Sequence, residues 1–237
     1  MLGLGSSLAL GGAPSEWTIL ETSPEVWLKF NTGQTTPDID ADGDSDMQWA
    51  DSSGNGNDAT NSVDAKQGTF NGGAWKSADN EDHLVLDSNI TLANAYTIFM
   101  VFTVENTADT FIGGPTTADF MRFGQGNNAA QFRTKHGGVN VGDITFDINP
   151  STGKNMYKIS RNADGDELTI TQNSTTLCMD AGTVSTNNFV VGKIPAGASG
   201  LATDYLWEVL VYNRAVTDAE STLIEADILT RTSLTAD

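Results

Sequence analysis

The chain has 237 residues and a formal charge of −19, with 31 acidic against 12 basic residues and no basic block. That balance argues against nucleic acid as a partner, because nothing would neutralise a phosphate backbone. No run approaches the roughly 18 apolar residues of a membrane-spanning helix, so no membrane insertion is expected, and a lone cysteine, Cys178, excludes an intrachain disulfide.

Met1 to Gly12 reads M-L-G-L-G-S-S-L-A-L-G-G. It lacks the positive start of a signal peptide, and its glycines interrupt any apolar core. Leu2, Leu4, Leu8 and Leu10 need burial, either on the domain's own surface or on a neighbouring subunit. Residues 1–16 are therefore assigned as an apolar docking arm, 17–230 as one β-domain and 231–237 as a tail.

Val26 to Asn31 (V-W-L-K-F-N) alternates as a strand does. A polar excursion from Thr32 to Met47 follows, then a dense turn cluster from Trp49 to Asp58. Short strands are predicted at 68–70, 74–76 and 83–86, and Tyr96–Val104 (Y-T-I-F-M-V-F-T-V) as a long central strand. Further strands fit 110–112, 120–123 and 131–134. Residues 156–161 and 167–172 flank Asn162-Ala163-Asp164-Gly165-Asp166, a hairpin whose Asp-Gly pair accepts positive φ. Cys178, in T-T-L-C-M, reads as a small buried apolar residue.

Residues 189–191 and 205–212 complete the strands. In Tyr205–Tyr212 the period places Trp207, Val209 and Val211 on one face and Leu206, Leu210 and Tyr212 on the other. Glu208 is the odd carboxylate there and needs a partner or a sheet edge. Thr217 and Glu220 form a capping box opening a helix from Asp218 to about Leu229, with Leu223, Ile224 and Ile228 on its buried face. About a dozen strands with frequent turns and one short C-terminal helix predict an all-β fold, a two-sheet antiparallel β-sandwich or jelly roll.

Four ordered motifs carry a family likeness: W-L-K-F-N, W-A-D-S-S-G-N-G-N-D-A-T, Y-T-I-F-M-V-F and W-E-V-L-V-Y-N-R-A-V-T-D-A-E. Together, over 26–229, the chain resembles the concanavalin A-like lectin/laminin-G superfamily. The opening M-L-G-L-G-S-S-L is similar to the N-termini of structural proteins of tailed, particularly marine, bacteriophages. That resemblance implies a virion component, such as a capsid decoration, head-fibre or tail protein. It would be assembled in a bacterial cytoplasm, with other virion proteins (major capsid or tail subunits) as partners and self-association as a further option.

Asp38, Asp40, Asp42, Asp44 and Asp46 form the sharpest candidate site. Alternate carboxylates followed by Gly43 match the first half of a Ca²⁺-binding loop, since side chains at i, i+2 and i+4 of a curling loop converge on one hard cation. Trp49 stands where the loop's closing glutamate belongs, so a solvated acidic loop is the competing reading. Trp49, Asp51, Asn55 and Asn57 are a glycan or calcium candidate on the next turn, against a purely structural role through Asx turns. Trp17, Trp49 and Trp75 are candidate sugar platforms, against burial as core residues.

No enzyme is expected. The E-x-D-x-x-E strand of the superfamily's glucanases is absent, and Asp204 lies about 13 Å from Glu208 along a strand, beyond the ~5–9.5 Å of glycosidase pairs. His83 and His136 stand alone, His136 as a loop residue. The expected function is a non-enzymatic virion structural protein docking through its arm; a calcium-assisted carbohydrate-binding module is the alternative.

Overall fold

The computed structural model describes residues 18–35, 47–63, 66–77, 81–104, 110–125, 128–145, 153–162, 164–181, 187–195 and 205–234. The arm leucines, Trp17 and the Asp38–Asp46 stretch lie outside the described residues.

Two antiparallel sheets face each other. The first runs β15 (Thr175–Ala181), β14 (Glu167–Gln172), β13 (Gly153–Arg161), β8 (Tyr96–Val104), β17 (Tyr205–Tyr212), β6 (Ala74–Lys76) and β5 (Thr69–Asn71), with β1 (Val26–Leu28) also pairing β17. The second runs β12 (Val139–Thr145), β11 (Asn128–His136), β10 (Phe120–Gln125), β9 (Thr110–Gly113), β16 (Phe189–Ile194), β7 (Leu84–Leu92), β4 (Ala59–Asn61), β3 (Met47–Trp49) and β2 (Gln34–Thr35). A single α-helix, α1 (Asp218–Thr232), follows β17. The fold is the predicted two-sheet sandwich with one C-terminal helix.

The core between the sheets is aromatic. Phe102 stacks on Phe111 with ring centroids 5.1 Å apart and lies 4.7 Å from Tyr157, with Phe123 and Phe132 beyond. β8 is the central strand, paired along its length with β13 and β17, and apolar on both faces because both are covered. Ile98, Met100 and Phe102 point to the opposite sheet, while Phe99 and Val101 point to the helix.

β17 departs from its predicted alternation. A bulge between Leu206 and Glu208 in the pairing with β8 shifts the register. Leu206 therefore joins Val209 and Val211 in the inter-sheet core, and Trp207 turns to the helix side. A bulge exchanges the faces of residues on either side of it, and period-2 counting does not foresee one.

Helix α1 packs on the outer face of the first sheet through Ile224, Ile228 and Leu229, against Trp27, Phe99, Val101, Met156, Leu210 and Tyr212. Thr217 and Glu220 make the predicted capping box. Leu223, predicted inside, is 45% exposed. The stripe at 3.6 spacing is Ser221, Ile224, Glu225, Ile228 and Thr232, and Leu223 falls beside it. The helix also runs on to Thr232, so Arg231 and Thr232 belong to the folded domain rather than to a tail.

Among the described residues, no helix is long and apolar enough to cross a membrane. Cys178 is buried, as predicted.

Candidate functional site

Among the described residues, Glu208, Glu225 and His136 are buried and make hydrogen bonds within the fold. Glu208 is fully buried on the helix side of β17. Its Oε1 accepts from Trp27 Nε1 at 2.8 Å and from Arg231 Nη2, and Arg231 also pairs with Asp227. Burial pushes the Glu208 carboxyl above the usual range, with Arg231 and the Trp27 N–H opposing that rise. The partner that the sequence demanded for Glu208 lies in the last helical turn, where a cation also complements the helix dipole.

Glu225 is the second such carboxylate. It accepts from Lys158 at 2.9 Å, Ser221 at 2.7 Å and Ser174 at 2.5 Å. Burial would raise it, but these three donors outweigh burial and hold it below the ordinary value. Arg214 forks onto both oxygens of Glu220, at 2.7 and 2.9 Å, and holds it down at about 2.

His136, predicted in a loop, ends β11 and is fully buried. Arg161 Nη1 donates to its Nδ1 at 3.1 Å, and an arginine cannot accept, so the proton sits on Nε2 and faces Tyr96 Oη at 3.3 Å. Burial first, then the Arg161 charge, lowers His136 to about 3. Arg161 in turn donates to the carbonyls of Ala93, Asn94 and Asn187. This imidazole is a neutral fastener between the sheets. Nothing in the sequence around H-G-G signalled that, because its partners come from strands 25 and 40 residues away.

The turn cluster is similarly committed. Asp51 Oδ1 accepts from the backbone N–H of Trp27 and of Ser53, both at 2.9 Å, and Oδ2 from Ser53 Oγ at 2.6 Å and Asn57 N at 3.0 Å. The Asn55 and Asn57 amides donate to the carbonyls of Pro24 and Glu25, at 2.9 and 3.1 Å. Gly54 and Gly56 take positive φ, 89° and 72°, to close the turn. These side chains clasp the segment before β1 to the turn between β3 and β4.

Trp49 is fully buried, donates to the Lys29 carbonyl at 3.0 Å and meets Phe70 edge-on, so it has no ring face for a sugar. Trp75 is equally buried, its N–H bound to the Gln67 carbonyl at 2.8 Å. Both expectations of a sugar platform are corrected on the same ground: these rings fill the core. Among the described residues, no group of three or more His, Cys, Asp or Glu side chains converges as a metal site.

The aromatic surface lies elsewhere. Tyr205 and Trp207, at the start of β17, are half-buried and stacked with centroids 5.5 Å apart and planes at 26°. Lys76 Nζ lies over the Tyr205 ring at 5.2 Å. Lys154 Nζ lies 4.7 Å from the Trp207 ring and 5.6 Å from that of Phe30, and donates to the Thr232 carbonyl at the end of α1. The five side chains come from β1's exit, β6, β13 and β17, with Lys154 tying the group to the helix C-terminus. Trp207 reached this surface through the β17 bulge, and so was missed from sequence.

Comparison with known proteins bears on the fold. No protein-family model matches the chain, and no curated protein matches it. Solved structures do share its architecture. The botulinum neurotoxin serotype D/C binding domain is 11% identical over 88% of this chain and 53% of that one, with a TM-score of 0.53. The serotype D binding domain gives 10% identity, 85% and 52% coverage, and a TM-score of 0.53. A Trypanosoma rangeli sialidase aligns with 79% of this chain and 32% of its own, at 14% identity and a TM-score of 0.47. The chain spans about half the length of the neurotoxin domains it matches. What the chain shares with the neurotoxin binding domains is the two-sheet β-sandwich fold. None of these likenesses points to a bacteriophage protein, and the virion reading rests on sequence resemblance alone.

Proposed function

We propose that the chain is a non-catalytic, lectin-like binding module that recognises carbohydrate through the Tyr205–Trp207 stack. The observation that carries this reading is a half-buried, stacked aromatic pair between two lysines, with the Phe30 ring alongside. Aromatic rings present apolar faces suited to sugar C–H groups, and ammonium groups donate to hydroxyls. Lys154 is tied to the helix end, whereas Lys76 is held over Tyr205 only by a contact worth about 0.5–1 kcal/mol at an exposed site. Its flexible stem lets it swing aside and leave the Tyr205 face to a sugar.

The engaged state of Glu225 and His136, and the complete burial of Glu208, support a binding rather than a catalytic role. Sharing a fold with a toxin binding domain is in keeping with that reading. A glycan array probed with the chain, with Trp207→Ala and with Tyr205→Ala tests it. Binding by the parent chain that falls at least tenfold in both variants is expected. An array that the folded parent leaves blank would sink the proposal.

Two further proposals concern residues outside those described. Asp38, Asp40, Asp42, Asp44 and Asp46 would hold Ca²⁺ and order their loop. Leu2, Leu4, Leu8 and Leu10 would dock the domain on virion proteins, capsid or tail subunits. For the second, deletion of Met1–Gly12 should abolish incorporation into particles while leaving the sandwich folded.

A further inference from the structure

The strand registers place a short row on the outer face of the first sheet, at its edge. Thr69 of β5 stands across from Lys76 of β6, and Lys76 across from Tyr205 of β17. Partners directly across a ladder share a face. The adjoining ladder of Phe70, Trp75 and Leu206 points inward, since Trp75 and Leu206 are fully buried and Phe70 packs on the same core. Thr69 is exposed, and Lys76 and Tyr205 are half-buried, so the row meets solvent.

Lys76 differs from the other cations on this side of the sheet. Lys158, Arg214 and Arg231 each pair with a carboxylate, that of Glu225, Glu220 and Glu208. Lys29 lies near enough to Glu208 to favour its charged form. Lys154 donates to the Thr232 carbonyl at the helix C-terminus, where the dipole favours a cation. The Lys76 side chain makes no ion pair and no hydrogen bond among the described residues, and its contact is the Tyr205 ring at 5.2 Å. In a chain with 31 acidic residues against 12 basic, a lysine without a carboxylate is an exception. Its three N–H donors are left uncommitted.

The ring and the ammonium are released by one movement. While Lys76 rests on Tyr205 it covers the ring, and when it swings away both become available. A neutral sugar then takes the ring but gives the ammonium only a hydroxyl in exchange for the ring's electrons. An acidic sugar gives it a charge-assisted hydrogen bond, roughly twice as strong as a neutral one.

We propose that the sugar recognised at the Tyr205–Trp207 stack is an acidic one, with its ring on Tyr205, its carboxylate or sulfate on Lys76 and a hydroxyl on Thr69. This rests on the carbohydrate reading above and adds the class of sugar. Trp207, held by Lys154 from the helix end, gives Tyr205 a fixed support. A densely charged polyanion fits poorly, because the chain's net charge of −19 repels it. The ligand therefore carries isolated acid groups among neutral sugars.

The full chain is titrated calorimetrically with trigalacturonate, its methyl ester, a sulfated galactan trisaccharide and its desulfated counterpart, at low and at high salt. At least one acidic sugar should bind about tenfold tighter than its neutral counterpart, and the difference should shrink as salt rises. Which acid does so separates carboxylate from sulfate. Lys76→Met, which keeps the stem and loses the charge, should erase the difference, and Lys76→Arg should retain it; should Lys76→Met not fold, Lys76→Gln takes its place. Tyr205→Ala should weaken acidic and neutral sugars alike. Equal affinity for an acid and its neutral counterpart in both pairs, or a difference that survives in Lys76→Met, overturns the proposal. Equal affinities that fall in Tyr205→Ala would do so while leaving the carbohydrate reading intact. Binding to none of the four overturns it as well, and the glycan array then decides the broader reading separately.

Discussion

The two outer faces of the sandwich treat charge in opposite ways. On the first sheet, helix α1 brings Glu208, Glu220 and Glu225 against Arg231, Arg214 and Lys158, one cation for each carboxylate. There the charges hold the fold. On the second sheet, where no helix packs among the described residues, Arg122 stands across from Arg133, and Arg133 faces Asp143 on its other side and donates to Asn140 Oδ1 at 3.4 Å. Paired charge under a cover holds the fold, whereas charge on an uncovered sheet face is solvated and screened and contributes little.

The largest effect expected from this contrast is at Arg231. Arg231→Ala strips the fully buried Glu208 of its cation, and breaking a buried pair from one side costs about 3–5 kcal/mol. Urea denaturation should show that loss. A cost below ~1 kcal/mol would mean that Glu208 is protonated in the fold, since such surface-like values belong to pairs that carry no desolvated charge.

Next in size is a pH effect beneath the open face. His136 titrates at about 3 in the fold against an ordinary 6.5, so it stays neutral while an unfolded chain takes up a proton. Its contribution is therefore complete above pH 6.5 and declines as pH falls from 6.5 to 3, by at most ~1.4 kcal/mol per pH unit. His136→Gln should flatten most of the pH 6.5–4.5 limb of the stability profile. His83, also lowered chiefly by burial, supplies a residual slope of the same sign. The limb below pH 4.5 should survive, because Glu220 at about 2 loses its stabilising charge only between 4.5 and 2. An unaltered upper limb in the variant contradicts the buried neutral imidazole.

The capping box offers a smaller test of the covered face. Thr217→Ala removes the hydroxyl that accepts from the Glu220 N–H at 3.3 Å, and should cost about 1 kcal/mol. Smallest in size is the expected effect of calcium: melting of the parent should rise in Ca²⁺ relative to chelator, and Asp40→Ala should lose the rise. Equal melting under all conditions disposes of the calcium proposal.

Much of the fold was legible because it is local or periodic. Y-T-I-F-M-V-F-T-V could only be a strand covered on both faces, and Thr217 with Glu220 marked the helix start. The Asn162 hairpin also formed as read, with Asn162 Oδ1 accepting from Gly165 N at 2.8 Å. Strands β12 and β15 were missed because both are sheet edges, where a strand needs little apolar patterning. β7 was cut short at Leu86 because Asp87, Ser88 and Asn89 read as a turn; pairing with β16 carries the strand through to Leu92. The surface sites were least legible of all. The placing of Trp207 depends on a bulge between Leu206 and Glu208, which period-2 counting does not foresee.

The most direct test is amide hydrogen exchange of the chain with and without an oligosaccharide that it binds on the array. The account predicts slowed exchange in β6 and at the start of β17, around Tyr205 and Trp207, with β10 and β11 unaffected. Protection confined to β10 and β11, or no segment protected while the sugar is bound, would contradict it.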